Sequence, residues 1–305
     1  MIELVIPARR KDLGGGLEVG RVLPFAKQRM VGPFIFLDHM GPADFAAGTG
    51  IDVRPHPHIG LATVTYLFEG EILHRDNMGY RQSIRPGEVN WMTAGQGVVH
   101  SERTDASVRA KPSRAHGLQA WVALPDGKEE VAPSFAHYDG KSLRTFGEAG
   151  ARGILLAGTA YGLVSAIETF SPMFYAHVEL SPGARLAMPA SHEQRAAFIV
   201  SGEVSADGRT YTDGNLLVFA RGGEPVIAAT NAPARLMLLG GAPIGPRHIW
   251  WNFVSSSLYR IEQAKADWRA GRMALPPDDA KEFIPLPEDQ TSPPHPNDQR
   301  EHRAA

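Results

Sequence analysis

Between closely spaced Gly and Pro residues the chain runs in short apolar or β-branched stretches. They fall at 61–68, 87–92, 118–124, 174–180, 196–200, 216–219 and 235–239. Runs this short, bounded by turn residues, predict an all-β sandwich or barrel. Helical spacing is clear once, where Leu258, Ile261, Ala264, Lys265 and Trp268 recur at the 3.6-residue period. Ser255, Ser256 and Ser257 precede that stretch and can cap it. The helix is expected to end between Gly271 and Pro276. From Pro285 the sequence PLPEDQTSPPHPNDQREHRAA is polar and Pro-rich. With almost nothing to bury, it predicts a flexible tail over 285–305.

Two hairpin-like segments repeat. TYLFEGEI at 65–72 is followed by PGEVNWM at 86–92, and AFIVSGEV at 197–204 by DGNLLVF at 213–219. Gly70 and Gly202 lie 132 residues apart, and Gly87 and Gly214 lie 127 apart. Two turns matching at nearly one offset predict a duplicated β-barrel. The expected layout is a first barrel over 1–135, a second over 136–254, a helical segment over 255–284 and the tail. A polar linker would fall in 133–142.

Composition narrows the chemistry. The chain has 305 residues and no Cys, so disulfides, thiolate metal sites and cysteine nucleophiles are excluded. Lys and Arg total 31 against 33 Asp and Glu, a net charge of −2. That balance gives no support to direct nucleic-acid binding, which needs clustered positive charge. No stretch reaches the ~18–20 apolar residues of a membrane span. The N-terminus MIELVIPARRKDLGGG lacks the long apolar run of a signal peptide, which leads to the expectation of a cytoplasmic protein. Gly14, Gly15 and Gly16 precede no helical pattern, so they do not read as a phosphate cradle.

Any metal must therefore sit on His and carboxylate ligands. His56 and His58 flank Pro57, and alternate residues of a strand share one face, so two imidazoles can converge there. Pro57 is tolerable at an edge or strand start. His100 and Glu102 repeat the spacing after a Gly95–Gln96–Gly97 turn. Three neutral imidazoles and a carboxylate suit Fe(II), Mn, Ni, Cu or Zn, and spacing does not choose among them.

At these residues the sequence resembles the pirin family of bicupins. RPHPHIG at 54–60 is similar to that family's first metal motif, and WMTAGQGVVHSE at 91–102 to its second. Phe34, DHMGP at 38–42, HRDN at 74–77 and GLQAWV at 117–122 fit the same pattern. The resemblance is continuous over about 2–135 and thinner to about 285. It implies two antiparallel, jelly-roll-like β-barrels face to face, with a short C-terminal helix and the tail outside the match. It also implies one metal in the first barrel, with Fe(II) the expected ion, held by His56, His58, His100 and Glu102. Ordinary cupins carry a Glu four or five residues after the second His, where this chain has Ala62 and Thr63. Glu102 must then supply the carboxylate and is the expected catalytic base. The implied activity is metal-dependent dioxygenation of a flavonol-type aromatic such as quercetin, with dioxygen as co-substrate. The alternative is a metal-dependent regulator that binds a transcription factor or a metabolic enzyme. A cupin isomerase or epimerase is a third reading, by fold analogy alone.

Carrying the repeat offsets across puts Met188, Ala190, Ile227 and Ala229 at the positions of the four ligands, so the second barrel is expected to be metal-free. His192 reads as a surface or loop residue. His39 is expected in a turn, His74 in a hairpin rather than on the metal, and Ser101 facing away from it. Gln96 and Gln119 could bond a ligand or the turn beside them. Trp250 and Trp251 are expected to pack the helix that follows.

Overall fold

The computed structural model describes residues 1–13 and 17–287. Gly14–Gly16 and most of the expected tail lie outside them. Five of the seven predicted runs fall within strands, 87–92 starts two residues ahead of Val89–Thr93 and 118–124 runs one past Ser113–Ala123, and the halves are built alike. The first stacks a seven-stranded sheet on a four-stranded one. In spatial order the large sheet is Ser134–Tyr138, Val89–Thr93, Leu61–Glu69, Ser113–Ala123, Phe34–Phe45, Glu18–Leu23 and Arg9–Asp12. The small one is Asp52–His58, Val98–Arg103, Ile72–Asp76 and Arg81–Ile84.

In the second half the large sheet runs Ile2–Pro7, Asn215–Phe219, Gln194–Ser201, Ala234–Gly241, Met173–Leu180, Ala151–Ala160 and Arg144–Glu148. Leu163–Val164 pairs beside Ala151–Ala160. Its small sheet is Arg185–Ala187, Val226–Ala229, Glu203–Ala206 and Arg209–Thr212. The four-stranded orders correspond strand for strand. Each half is an open jelly-roll-like sandwich, so the expected barrels do not close.

Two strands cross between the halves. Ile2–Pro7 pairs antiparallel with Asn215–Phe219, so the N-terminus completes the second sheet rather than the first. Ser134–Tyr138, inside the expected linker, pairs with Val89–Thr93 of the first. Period-two alternation then sorts the core. One face of each large sheet fills its own sandwich. The opposite faces meet in a shared apolar core that includes Phe34, Tyr66 and Leu118 against Tyr175, Phe198 and Met237. Phe34 and Tyr175 ring centroids lie 5.3 Å apart.

The helix covers Leu258–Arg269 and buries Ile261, Ala264 and Trp268. Leu258 is exposed, and Lys265 lies over Trp250, its Nζ 4.5 Å from the ring centroid. Ser257 makes no side-chain cap. The Ser cluster instead bonds across the fold, with Ser255 Oγ donating to Glu129 Oε2 at 2.8 Å and Ser256 N–H to Oε1 at 2.8 Å. Beyond the helix the chain returns to the first half. Arg103 holds Asp279 through two nitrogens at 2.6 and 2.9 Å, and Ile284 N–H donates to Pro55 O at 2.8 Å. Leu286, two residues into the expected tail, is fully buried.

His39 lies within the long strand Phe34–Phe45, not in a turn, and faces the junction between the halves. Its Nε2 is 2.8 Å from His116 Nε2, and Tyr66 Oη is 3.0 Å from His177 Nδ1. Burial pushes His39 and His177 down to about 4 and lowers His116 as well. In the unfolded chain the same rings titrate near ~6.5. Between those values the unfolded chain holds more protons, so stability falls as pH drops from ~6.5 to ~4. His177 alone is expected to contribute roughly 3 kcal/mol to that loss. Thermal melts of the wild type and His177→Gln across this window should show the variant with the shallower decline; parallel declines would remove His177 from the account.

Candidate metal centre

Asp52–His58 is an edge strand paired only through Val98–Arg103, which leaves Pro57 harmless to the ladder. His100 stands opposite His56 in this pairing. Alternation then points His56, His58 and His100 to one interior face. Their candidate ligand nitrogens all lie within 4.8 Å of one another, and all three residues are buried. Two of the outer nitrogens meet carbonyls: His56 Nδ1 lies 2.9 Å from Arg54 O, and His58 Nδ1 lies 3.1 Å from Asn252 O. Donating Nδ1–H there leaves each Nε2 lone pair free. His100 Nε2 is buried with no hydrogen-bond partner. An orphaned imidazole nitrogen beside two others fits a divalent ion. Burial lowers the pKa of all three rings, which keeps them in the neutral, ligating form.

Glu102 is near but not in that cluster. Its Oε1 accepts from Gln119 Nε2 at 2.7 Å and from Thr65 Oγ1 at 3.4 Å. His74, expected as a hairpin residue, lies on Ile72–Asp76 opposite Glu102, and its Nδ1 approaches His100 Nδ1 at 3.4 Å. Its ligand-like spacing to Asp76 was visible in the sequence, but its partner across the sheet was not. Ser101 is buried between the two donors. Gln96 lies elsewhere, where its carbonyl accepts from Arg260.

A cavity of about 350 Å³ opens on this site, lined by His56, Glu102 and Gln119. That volume lies in the range of small-molecule pockets. Its walls include Phe36 stacked on Trp121, with centroids 3.9 Å apart and planes at 11°. Arg21 lies over Phe36 at 4.4 Å and grips Asp38 through two bonds of 2.8 Å. Burial raises the Asp38 pKa, while Arg21 opposes that shift. Trp251, Asn252 and Ile284 also line the cavity. Trp251 thus does more than pack the helix, and sequence spacing carried no signal of it.

Among the described residues the second half offers no such set. With Gly202 matched to Gly70, the pairing of Val204 with Ala229 puts Pro225 at the His100 position and Ile227 at the Glu102 position. Met188 and Ala190 stand for His56 and His58. None carries an imidazole or a carboxylate. His192 is buried rather than on the surface, its Nε2 2.6 Å from Thr159 O.

Comparison with known proteins places these features. Residues 16–122 match the Pirin family model, and 175–274 match the Pirin C-terminal cupin domain. A pirin-like protein of Caulobacter vibrioides is 57% identical over 291 residues, covering 94% of this chain and 100% of that one. The solved structure of a quercetin 2,3-dioxygenase from Acinetobacter baumannii superposes with a TM-score of 0.86 at 32% identity, covering 96% of each chain. The bacterial pirin YhhW of Escherichia coli, solved with nickel(II), shares the fold at a TM-score of 0.62 and 19% identity, over 80% of this chain and 100% of that one.

Replacing His58 or His100 with Ala is expected to abolish stoichiometric metal, measured by elemental analysis. The wild type should bind one ion per chain, and a second ion held by residues between about 150 and 245 would contradict the reading of the second half.

Proposed function

The chain belongs to the pirin family, and from that premise we propose that it is an iron-dependent dioxygenase acting on flavonol-type aromatics such as quercetin. The observation that carries this reading is the cavity that the buried histidine cluster reaches through His56. A centre that acted only as a structural plug would be walled off by side chains. Here His56 and Glu102 themselves form part of the lining. The walls are mostly apolar and aromatic, with few polar groups, as suits a planar ring system. Phe36 and Trp121 contribute aromatic wall to the cavity, and the paired Arg21 and Asp38 bring no uncompensated charge to it.

His56, His58 and His100 would hold the ion, with Glu102 as fourth ligand. When bound, the metal supplies charge stabilisation to a deprotonated hydroxyl and a meeting point for dioxygen. Glu102 would take the hydroxyl proton. Its hydrogen bonds from Gln119 and Thr65 both fall on Oε1, which orients the carboxylate and leaves Oε2 as the oxygen that would ligate and, on swinging off a weak metal bond, take the proton. Trp251 and Ile284 border the same space and would hold water away from the reacting ring.

Glu102→Gln keeps the shape of the side chain and removes the base. It is expected to retain much of the iron while oxygen uptake with quercetin falls about 10²–10⁴-fold. His56→Ala is expected to lose both. Turnover by Glu102→Gln at the wild-type rate would remove Glu102 from the proton transfer. Iron-loaded wild type that consumes no oxygen with any flavonol or catechol would favour the regulatory reading instead.

A further inference from the structure

The three imidazoles that face the centre differ in what stands behind them. His56 and His58 have neutral main-chain carbonyls at Nδ1. His100 has a side chain. Its Nδ1 meets His74 Nδ1 at 3.4 Å, and His74 Nε2 lies 3.0 Å from Asp76 Oδ2. Asp76 is wholly buried, and its Oδ1 accepts from the N–H groups of Met78 and Tyr80 at 2.9 and 3.1 Å. Donors therefore face both carboxylate oxygens.

With neutral imidazoles, this arrangement favours one set of tautomers. With Nε2–H given to Asp76, His74 keeps a lone pair on Nδ1. His100 Nδ1–H points into that lone pair, which leaves His100 Nε2 as the free donor. That nitrogen is the one buried without a partner. The His74 ring cannot turn out of this role freely, because it stacks on Phe135 at 4.4 Å and 16°. Phe135 arrives on Ser134–Tyr138, the strand that crosses toward the second half. A carboxylate at the end of an imidazole chain also does what a carbonyl does weakly. It polarises the outer N–H and raises the basicity of the ligating nitrogen.

We propose that His74 and Asp76 are positioning residues that hold His100 in its ligating tautomer and make it the strongest donor of the three histidines. The proposal rests on the metal-centre reading, not on the flavonol chemistry. It requires that metal affinity and the relative stability of the oxidised ion depend on a pair that touches neither metal nor substrate.

Asp76→Asn tests it with little change of shape. Met78 and Tyr80 demand an acceptor at Oδ1, so the new amide must turn its NH2 toward His74 Nε2. That reverses the relay: His74 becomes a donor to His100 Nδ1, and His100 loses its ligating lone pair. Ni(II) affinity of the apo chain, read by chelator competition, is expected to fall about ten- to hundredfold. The midpoint potential of the iron-loaded protein is expected to move positive. The apo melting curve should stay close to wild type, since the turn keeps its acceptor. His74→Gln is the second arm. Its amide oxygen can accept from His100 Nδ1–H but relays no carboxylate charge, so affinity should largely return while the potential stays positive of wild type. Wild-type affinity and potential in both variants would overturn the proposal alone. A wild-type chain that binds no Ni(II) would overturn the metal-centre reading, and the proposal with it.

Discussion

Three imidazoles buried on one point must each present a lone pair inward, and this is possible only if each outer N–H finds an acceptor in the interior. An unpaired buried N–H costs more than a hydrogen bond returns, so the partners are not optional. The chain brings a polar atom to each outer nitrogen from three places. Arg54 O is local to His56, His74 comes from the neighbouring strand, and Asn252 O reaches His58 from 194 residues away. The last of these ties the centre in the first half to a hairpin that follows the second.

That tie explains why the two halves are asymmetric despite one plan. The large sheets share a core, and each half receives a strand from the other's end of the chain. The second half has apolar residues where the first has its histidine cluster and Glu102. What it contributes to the site is enclosure. Trp251 and Asn252 close one side of the cavity, and the returning segment adds Ile284. Arg103, next to Glu102, anchors that segment through Asp279 and Glu282. Gly60 marks how close the approach is: its φ is +68°, and a Cβ there would meet Val254 O at 1.9 Å. Only glycine permits the metal motif and the Phe253–Ser255 strand to pack so closely.

The polar pairs at the junction answer a different problem. Two large sheets packed face to face leave room at the rim for groups that are neither fully apolar nor fully solvated. His39 pairs with His116 and Tyr66 with His177 there, while His177 Nε2 stays buried without a hydrogen-bond partner among the described residues. Arg235 spans the same region, over Phe68 at 4.8 Å and paired with Glu179 at 3.2 Å. The junction is therefore held by apolar burial at its centre and by neutral imidazoles at its edge.

Much of this was written in local pattern. Strand runs, the helix after Ser257, the duplicated hairpins and the convergence of His56, His58 and His100 all follow from periodicity, because two-residue and 3.6-residue spacing is a property of the backbone itself. The shift of two residues in the second half's register escaped the sequence offsets, since loop lengths between paired strands are free to differ. So did strand exchange, because an apolar run such as 2–7 does not carry the identity of its partner. His74 was expected as a hairpin residue, and its nearness to His100 appears only when Ile72–Asp76 is laid beside Val98–Arg103. Trp251, Asn252 and Ile284 have no local signature at all. Their place beside the centre was decided by the packing of distant segments, which no spacing along one chain encodes.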